Sequence, residues 1–246
     1  ANEKYTDPED ENYISDYYTV VAGVNGSFYN MTTGQPTGYT VIDGESFGTT
    51  SSSYPFFAIL TDGTAVIDYP ANADNYVDED GNSTVWQAIA GSQWLVRDGE
   101  DVTASATGDY NTDRHSRTCV GITEDGKVVF MVLDGRQEPF SCGGSMHELA
   151  QIMLEVGCVA AINLDGGGST TYAARQEGSD TVEVINNPSD GSERSISAGL
   201  MIASLAVPSD TFDHVTMTAE DEYVTPGTST EISITGVSPA GSAAEV

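Results

Sequence analysis

A glycine-rich segment after an apolar run is the feature of this sequence with the clearest chemical meaning. It consists of Asp165, Gly166, Gly167, Gly168, Ser169 and Thr170. Consecutive glycines let a ligand approach the backbone closely, and their N–H groups can form a concave site that suits an anion. The carboxylate of Asp165, at the end of the preceding predicted strand, would face the same pocket. A flexible turn capped by Asp165 is the alternative for this segment taken alone.

Two arginines adjoin other apolar runs. Arg117 precedes the run TCVGI, and Arg136 follows an apolar run together with Asp134. The planar guanidinium group donates two parallel hydrogen bonds to phosphate or carboxylate, which lysine cannot reproduce. His115 lies in the same segment as Arg117 and could titrate as an acid or base near neutral pH. Salt bridges to the many acidic residues are the alternative for these side chains.

Other kinds of site have weaker signals. Asn25 lies at the end of a predicted strand, where its amide could face a ligand, but a type I′ turn at Asn25-Gly26 explains the pair equally well. The acidic segment 78–82 lacks the EF-hand spacing, and the three cysteines show no spacing typical of zinc. We therefore expect no cofactor, with a divalent metal ion as the alternative.

The composition excludes several classes of partner. The chain has 246 residues, with 38 acidic against 8 basic ones and a formal net charge of −30. Such a charge argues against binding of nucleic acid and of anionic membrane surfaces, because both require clustered Lys and Arg. No run approaches the ~18 apolar residues of a membrane-spanning helix, so no membrane insertion is expected. The acidity suits a secreted or cell-surface protein.

Half of the basic residues are concentrated in one short segment, 114–136. They are Arg114, Arg117, Lys127 and Arg136. A basic cluster in an otherwise acidic chain indicates a small anionic ligand, and pairing with the acidic surplus is the alternative.

The elements that must position these residues are short strands and one helix. Asp-Gly turns between alternating apolar residues predict hairpins over 56–68 and 119–135. A capping box of Ser145 and Glu148 begins a helix predicted over 145–156, which ends before Gly157. A buried strand is predicted over 158–164. We therefore predict an α+β fold, in which a twisted, mostly antiparallel sheet packs around one or more helices.

Three segments of the chain differ in amino-acid composition and pattern. Residues 1–18 form an acidic lead-in, and 19–207 contain the hairpins, the helix and the glycine-rich segment. From 208 to 246 the chain shows Thr-rich alternation and a Pro-Gly turn, like the opening strands of a bacterial immunoglobulin-like module. This tail is too short for a sandwich of ~100 residues, so we interpret it as a truncated immunoglobulin-like β segment and expect a bacterial source.

The order of the motifs resembles the phosphodiester glycosidase family. The matching stretches are NGSFYN, RHSRTCVG, VLDGRQ, SMHELA, INLDGGGSTTY and INNPSDGSERSISAGLMIA. By resemblance, the pocket contains Asn25, Arg117, Asp134, Arg136, Asp165, Gly166, Gly167, Gly168, Ser169, Thr170 and Asn186, with Arg194 as the late arginine of the last motif. Family domains carry several strands before the first motif, and only 24 residues precede Asn25. We therefore expect the first part of the domain either to be missing from this chain or to form a separate chain after proteolysis.

The resemblance implies hydrolysis of the glycosidic C–O bond of a sugar-1-phosphodiester, such as an ester of N-acetylglucosamine-1-phosphate. The leaving phosphomonoester has a second pKa of about 6 and needs little protonation. Arg117 and Arg136 would stabilise its charge, Asp165 would be base or nucleophile with Asp134 as the second candidate, and the asparagines would hold sugar hydroxyls.

Three other functions stay open at this point. One is a metal-assisted phosphodiesterase with Asp134 and Asp165 as ligands of a divalent ion. Another is a glycosidase that acts on bacterial surface or exopolysaccharide glycans without a phosphodiester. The third is a non-catalytic glycan-binding or adhesion module.

Overall fold

The computed structural model describes residues 19–49, 53–179, 181–207, 209, 211–221 and 223–245. The predicted acidic lead-in, 1–18, lies outside the described residues. The strands are β1 (Thr19–Asn25), β2 (Val41–Ile42), β3 (Glu45–Ser46), β4 (Phe56–Leu60), β5 (Ala65–Asp68), β6 (Val85–Ala90), β7 (Gln93–Arg97), β8 (Glu100–Asp101), β9 (Arg117–Thr123), β10 (Val128–Leu133), β11 (Cys158–Asn163), β12 (Tyr172–Arg175), β13 (Val182–Val184), β14 (Gly199–Ser204), β15 (His214–Ala219), β16 (Ile232–Val237) and β17 (Ala243–Ala244). The helices are α1 (Asp109–Thr112) and α2 (Met146–Glu155), with 3-10 helices at Pro70–Asn75 and Gly167–Ser169.

Two compact units share the chain. The main unit contains 24–172 and 185–200, and the smaller unit contains the described residues of 1–23, 173–184 and 201–246. In the smaller unit β15 and β16 pair in antiparallel register from His214 opposite Val237 to Ala219 opposite Ile232. The segment boundaries predicted at 18 and 207, and the immunoglobulin-like character of the tail, stay predictions.

Four sheets are present among the described residues. The smaller two have the orders β13-β12-β1-β14 and β15-β16-β17. The main unit contains sheet I, with the order β3-β2-β6-β4-β5, and sheet II, with the order β10-β9-β11-β7-β8. None of the described helices is long and apolar enough to cross a membrane.

The main unit is layered, with sheet II in the middle. One apolar core joins sheets I and II, and it consists of Phe57, Ile89, Trp94, Val120, Ile122, Ile162 and Leu164. Another core lies between sheet II and α2 and consists of Leu95, Val96, Cys119, Met146, Leu149, Ala150, Met153, Cys158 and Ala161. Strand β9 contributes side chains to both cores, because successive side chains of a strand point to opposite faces of the sheet.

The predicted α+β fold is wrong, because the chain is β-rich. Within the described residues α2 has ten residues and α1 only four, whereas the strands form four sheets. Helix α2 covers only one face of sheet II, and sheet I covers the other. Sheet-on-sheet packing therefore buries the apolar surface that the α+β prediction assigned to helices.

The local predictions are confirmed. Hairpins β4–β5 and β9–β10 are antiparallel, as predicted from their Asp-Gly turns. The capping box of Ser145 and Glu148 is present at the start of α2, and Gly157 follows the helix with φ +89°. Such a conformation favours glycine because it has no Cβ.

Strand direction determines where the predicted site residues meet. Strand β9 runs antiparallel to both of its neighbours, with Leu133 opposite Arg117 and Asn163 opposite Cys119. The start of β9 therefore lies beside the ends of β10 and β11. As a result, the segments that follow β10 and β11 meet the segment before β9 at one edge of sheet II.

Candidate active site

Asp165 occupies the centre of this edge. Its backbone N–H donates to the Gly26 carbonyl at 2.9 Å, and its own carbonyl accepts from Asn25 Nδ2 at 2.8 Å. Its Oδ1 accepts from the Gly166 N–H at 2.8 Å. The backbone is thus fixed from two sides, while the side chain is only half-buried.

The charge state of Asp165 is set by opposing causes. Burial raises the pKa of this carboxyl, and the Ser169 hydroxyl, the Gly166 N–H and the charge of Arg194 act against that rise. The Ser169 side chain is fully buried. A carboxylate with a raised pKa is a stronger base than an exposed one, and perturbed carboxyls of this kind are common at functional sites.

The glycines after Asp165 make room for two guanidinium groups. A Cβ at Gly167 would lie 2.9 Å from Arg136 Nη1, and one at Gly168 would collide with Arg194 and Asp190. Arg194 and Asp190 form an ion pair with Nη2 to Oδ2 at 2.7 Å. Only glycine permits such close approach.

Two of the three glycine N–H groups already have acceptors in the protein. The Gly166 N–H donates to the Asp165 side chain, and the Gly167 N–H donates to the Ser116 carbonyl at 2.8 Å. The Ser116 hydroxyl in turn donates to the Gly167 carbonyl at 2.9 Å. The positive charge available to an anion at this edge therefore comes mainly from the arginines above the glycines.

Arg136 and His115 form a pair at the open side of the site. Arg136 is exposed and has φ +62°, and its Nε donates to His115 Nδ1 at 3.1 Å. A neutral imidazole that accepts at Nδ1 carries its proton on Nε2. Burial lowers the pKa of His115, and the charges of Arg136 and Arg117 lower it further. His115 is therefore neutral near pH 7 and offers an N–H donor.

Arg117 lies behind this surface and is only 3% exposed. Its Nε donates to the Gly144 carbonyl at 3.1 Å, and its Nη2 donates to the carbonyls of Tyr110 and Asp113, both at 3.0 Å. Its guanidinium carbon lies 5.4 Å from the centre of the Tyr110 ring. Burial lowers the pKa of Arg117. The Arg117 side chain thus fixes α1 and the segment before α2. Its charge lies in the interior, beneath the surface that contains Arg136 and His115.

Asp134 and Asn186 hold a neighbouring loop. Asp134 Oδ1 accepts from Asn186 Nδ2 at 2.9 Å, and its Oδ2 accepts from the Asn187 N–H at 3.0 Å. Asn186 Nδ2 also donates to the Thr170 carbonyl at 3.2 Å, and its Oδ1 accepts from the Tyr172 N–H at 2.7 Å. These polar atoms are used within the protein.

Asn25, at the end of β1, also has its side-chain amide bonded within the protein. It is 1% exposed, and its Oδ1 accepts from Thr118 Oγ1 at 2.6 Å and from the Thr171 N–H at 3.1 Å. With Nδ2 bonded to the Asp165 carbonyl, the whole amide is engaged. Asn25 therefore joins three segments beneath the site.

All the predicted site residues thus meet at one edge, but they differ in burial. Arg136 is exposed, Asn25, Arg117 and Thr170 are buried, and the half-buried ones are His115, Asp134, Asp165, Asn186 and Arg194. Sequence reasoning missed Tyr110, Ser116, Thr118 and Asp190. Ser116 and Thr118 belong to the RHSRT motif and could have been found there, whereas Tyr110 lies on a helix of four residues that has no periodic signal.

A metal site at Asp134 and Asp165 would need further ligands besides these two carboxylates. The described residues contain no group of three or more His, Cys, Asp or Glu side chains arranged to hold a metal ion. Both Asp134 carboxylate oxygens already accept hydrogen bonds from the 186–187 segment. We therefore assign no step of a reaction to a metal ion.

Comparisons with known proteins give one family. The model of the family described as phosphodiester glycosidase matches residues 18–203. The N-acetylglucosamine-1-phosphodiester alpha-N-acetylglucosaminidase of Bos taurus is 32% identical over 162 residues, which are 60% of this chain and 30% of that protein. A prophage-derived protein of Bacillus subtilis, YomE, is 38% identical over 112 residues, 45% of this chain and 16% of that protein. The chain thus spans less than a third of the length of these relatives.

A solved structure is also similar. The catalytic domain of the zebrafish N-acetylglucosamine-1-phosphodiester alpha-N-acetylglucosaminidase, auto-inhibited by its pro-peptide, superposes with a TM-score of 0.61 and is 29% identical. The match covers 74% of this chain and 63% of the zebrafish chain.

Proposed function

Since the chain belongs to the phosphodiester glycosidase family, we propose that it hydrolyses the glycosidic C–O bond of a sugar-1-phosphodiester and releases the sugar and a phosphomonoester. Esters of N-acetylglucosamine-1-phosphate are the first candidates, because the bovine and zebrafish relatives are named for that substrate. The observation that carries the proposal is a half-buried carboxyl, Asp165, beside two guanidinium groups that lie over adjacent glycines.

Asp165 acts as the base that activates water or as the nucleophile that attacks the anomeric carbon. An ordinary glycosidase needs a second carboxyl group to protonate a poor leaving group. A phosphomonoester has a second pKa of about 6 and departs with little protonation. One carboxylate is therefore sufficient, and its raised pKa makes it the more effective base.

Arg136 and His115 bind the phosphate oxygens. The exposed guanidinium group forms charge-assisted hydrogen bonds with them, and the neutral imidazole donates from Nε2. Both interactions strengthen as negative charge develops on the departing phosphate, which is the condition for lowering the barrier. Arg194, which lies over Gly168 and whose charge acts on Asp165, contributes further positive charge.

Arg117, Asn25, Asp134 and Asn186 have supporting roles in this mechanism. Their polar atoms are engaged with protein groups, and they position Asp165, α1 and the 186–187 segment. Direct contacts of the two asparagines with sugar hydroxyls stay a prediction, as do secretion and a bacterial source.

The decisive experiment combines a substrate screen with an isosteric substitution. We expect the chain to hydrolyse one or more sugar-1-phosphodiesters, with ¹⁸O from labelled water appearing in the sugar and not in the phosphate. Asp165→Asn should lower turnover by about 10² or more, because general-base or nucleophilic action is lost. The matched control is Asp98→Asn, since the Asp98 side chain is 94% exposed and forms its ion pair with Arg97.

Three outcomes would contradict the proposal. Near-normal turnover by Asp165→Asn would remove the assigned role of the carboxylate. Label in the phosphate would indicate P–O cleavage instead. Binding of glycans without turnover of any member of the screen would favour a binding module.

A further inference from the structure

A groove beside the candidate active site differs in charge from the rest of the chain. It has a volume of about 470 Å³, and its walls include Tyr29, Met31, Arg194 and Ile196. Its described lining residues include no acidic side chain, although the chain contains 38 of them. Arg194 is the charged residue among these lining residues, and it is paired with Asp190.

The two walls of the groove are fixed to each other. The 28–37 loop is closed by the Asn30 N–H on the Gln35 carbonyl at 2.9 Å and by the Thr37 N–H on the Phe28 carbonyl at 2.7 Å. The Tyr29 hydroxyl donates to the Ser195 carbonyl on the opposite wall. The groove is thus a defined part of the main unit.

Arg194 connects the groove with the reacting carboxyl. Arg194 lines the groove, and its guanidinium group lies over Gly168, three residues after Asp165. Its charge acts against the rise in the pKa of Asp165. A phosphate held near Arg194 would therefore lie close to both Asp165 and the groove.

Both walls of the groove carry apolar side chains, Met31 on the loop side and Ile196 on the side of Arg194. Met31 is 76% exposed and Ile196 is 38% exposed, so both offer apolar surface to a ligand. Methionine is unbranched and polarizable and adapts to ligands of different shape. Removal of this surface from water would favour an apolar ligand group.

We propose that the groove binds the aglycone of the substrate, and that the aglycone is an uncharged, apolar alcohol esterified to the sugar-1-phosphate. This inference rests on the proposed function, because the phosphate must occupy the site beside Arg194. The absence of acidic lining residues permits a phosphate at one end, and the Met31 and Ile196 side chains contact an alkyl or aryl group beyond it.

The test compares two substrates that differ only in the aglycone, the methyl and hexyl esters of the same sugar-1-phosphate. We expect kcat/KM for the hexyl ester to exceed that for the methyl ester by about tenfold. Met31→Ala and Ile196→Ala should each lower this ratio by about three- to fivefold, because each removes part of the apolar wall. Val156→Ala, at a 51% exposed position after α2, is the matched control and should leave the ratio unchanged.

The outcomes separate the two proposals. Turnover of both esters at equal kcat/KM, or a ratio that Met31→Ala does not change, overturns the groove assignment and leaves the proposed function standing. An equal loss for both esters in the variants places the sugar in the groove and also overturns it. If neither ester of any sugar in the panel is hydrolysed, the proposed function fails and the inference fails with it.

Discussion

The surroundings of Asp165 shift the pKa of its carboxyl group in opposing directions. Burial raises its pKa, while the Gly166 N–H and the Arg194 charge favour the ionised form. Arg194 is itself paired with Asp190, so its charge is only partly available to Asp165. Burial therefore strengthens the carboxylate as a base, while these partners favour its ionised form, which is the form that a general base requires.

We expect Arg194→Gln to move the acid limb of the kcat/KM–pH profile to higher pH. Loss of the Arg194 charge, with Asp190 left unpaired, raises the pKa of Asp165 further. Since the reaction needs the ionised carboxylate, the active fraction at a given acidic pH falls. The measurement is the pH dependence of kcat/KM from pH 4 to 8.

Arg97→Gln is the control for that profile, because Arg97 lies over the Trp94 ring and beside Asp98. Its acid limb should coincide with that of the unmodified chain. An acid limb that stays in place in Arg194→Gln, or moves to lower pH, would show that Asp165 does not respond to this arginine.

Glycines have different roles in the elements that build the site. Gly168, in the 3-10 helix Gly167–Ser169, leaves room for the far ends of the Arg194 and Asp190 side chains. Gly121, within β9, leaves room for α2 and β11, because a Cβ there would lie 2.6 Å from Met153 Cε and 2.8 Å from Cys158 Sγ. One glycine therefore serves the site and the other serves the core.

Alanine at these two positions should separate activity from stability. Gly168→Ala displaces two side chains that can move into solvent, so we expect a small change in the melting temperature and a loss of kcat/KM of about tenfold or more. Gly121→Ala overpacks the core between sheet II and α2, which should lower the free energy of unfolding by about 1–3 kcal/mol. Thermal unfolding and kcat/KM per folded molecule check both variants.

The reverse pattern would contradict this division of roles. Strong destabilisation by Gly168→Ala would mean that the ion pair over it supports the fold. Loss of activity in the folded fraction of Gly121→Ala would mean that the contact of β9 with α2 controls the geometry of Arg117.

At the scale of the whole molecule, the net charge of −30 opposes the approach of an anionic substrate. The opposition acts over the Debye length, which falls from about 30 Å at 0.01 M salt to about 8 Å at 0.15 M. The positive groups of the site are close to the bound phosphate and are screened much less. Salt should therefore weaken the repulsion more than the binding.

We expect kcat/KM for a monoanionic phosphodiester to rise about two- to threefold between 0.01 and 0.15 M NaCl. The control is the aminoethyl ester of the same sugar-1-phosphate, which has no net charge and should respond much less. A fall of kcat/KM with salt for the anionic ester would show that the local arginines, not the net charge, dominate the encounter.

The sequence alone determined the features that depend on neighbouring residues. The capping box of α2, the Asp-Gly hairpins and the buried strand before Asp165 each follow from residues a few positions apart, and each is present. The order of the motifs was sufficient to indicate the family. These predictions succeed because turn chemistry, capping and strand alternation are local.

Only the tertiary structure decided which side chains are open to a ligand and how the sheets are covered. Asn25 bonds to Thr118, 93 residues away, and to the Asp165 carbonyl, 140 residues away, so its amide is not free. Arg117 is buried on backbone carbonyls, whereas Arg136 and Arg194 reach the glycines. The α+β prediction failed for the same reason: whether a helix or a second sheet covers an apolar face depends on residues far apart in the chain, and their contacts form only when the chain folds.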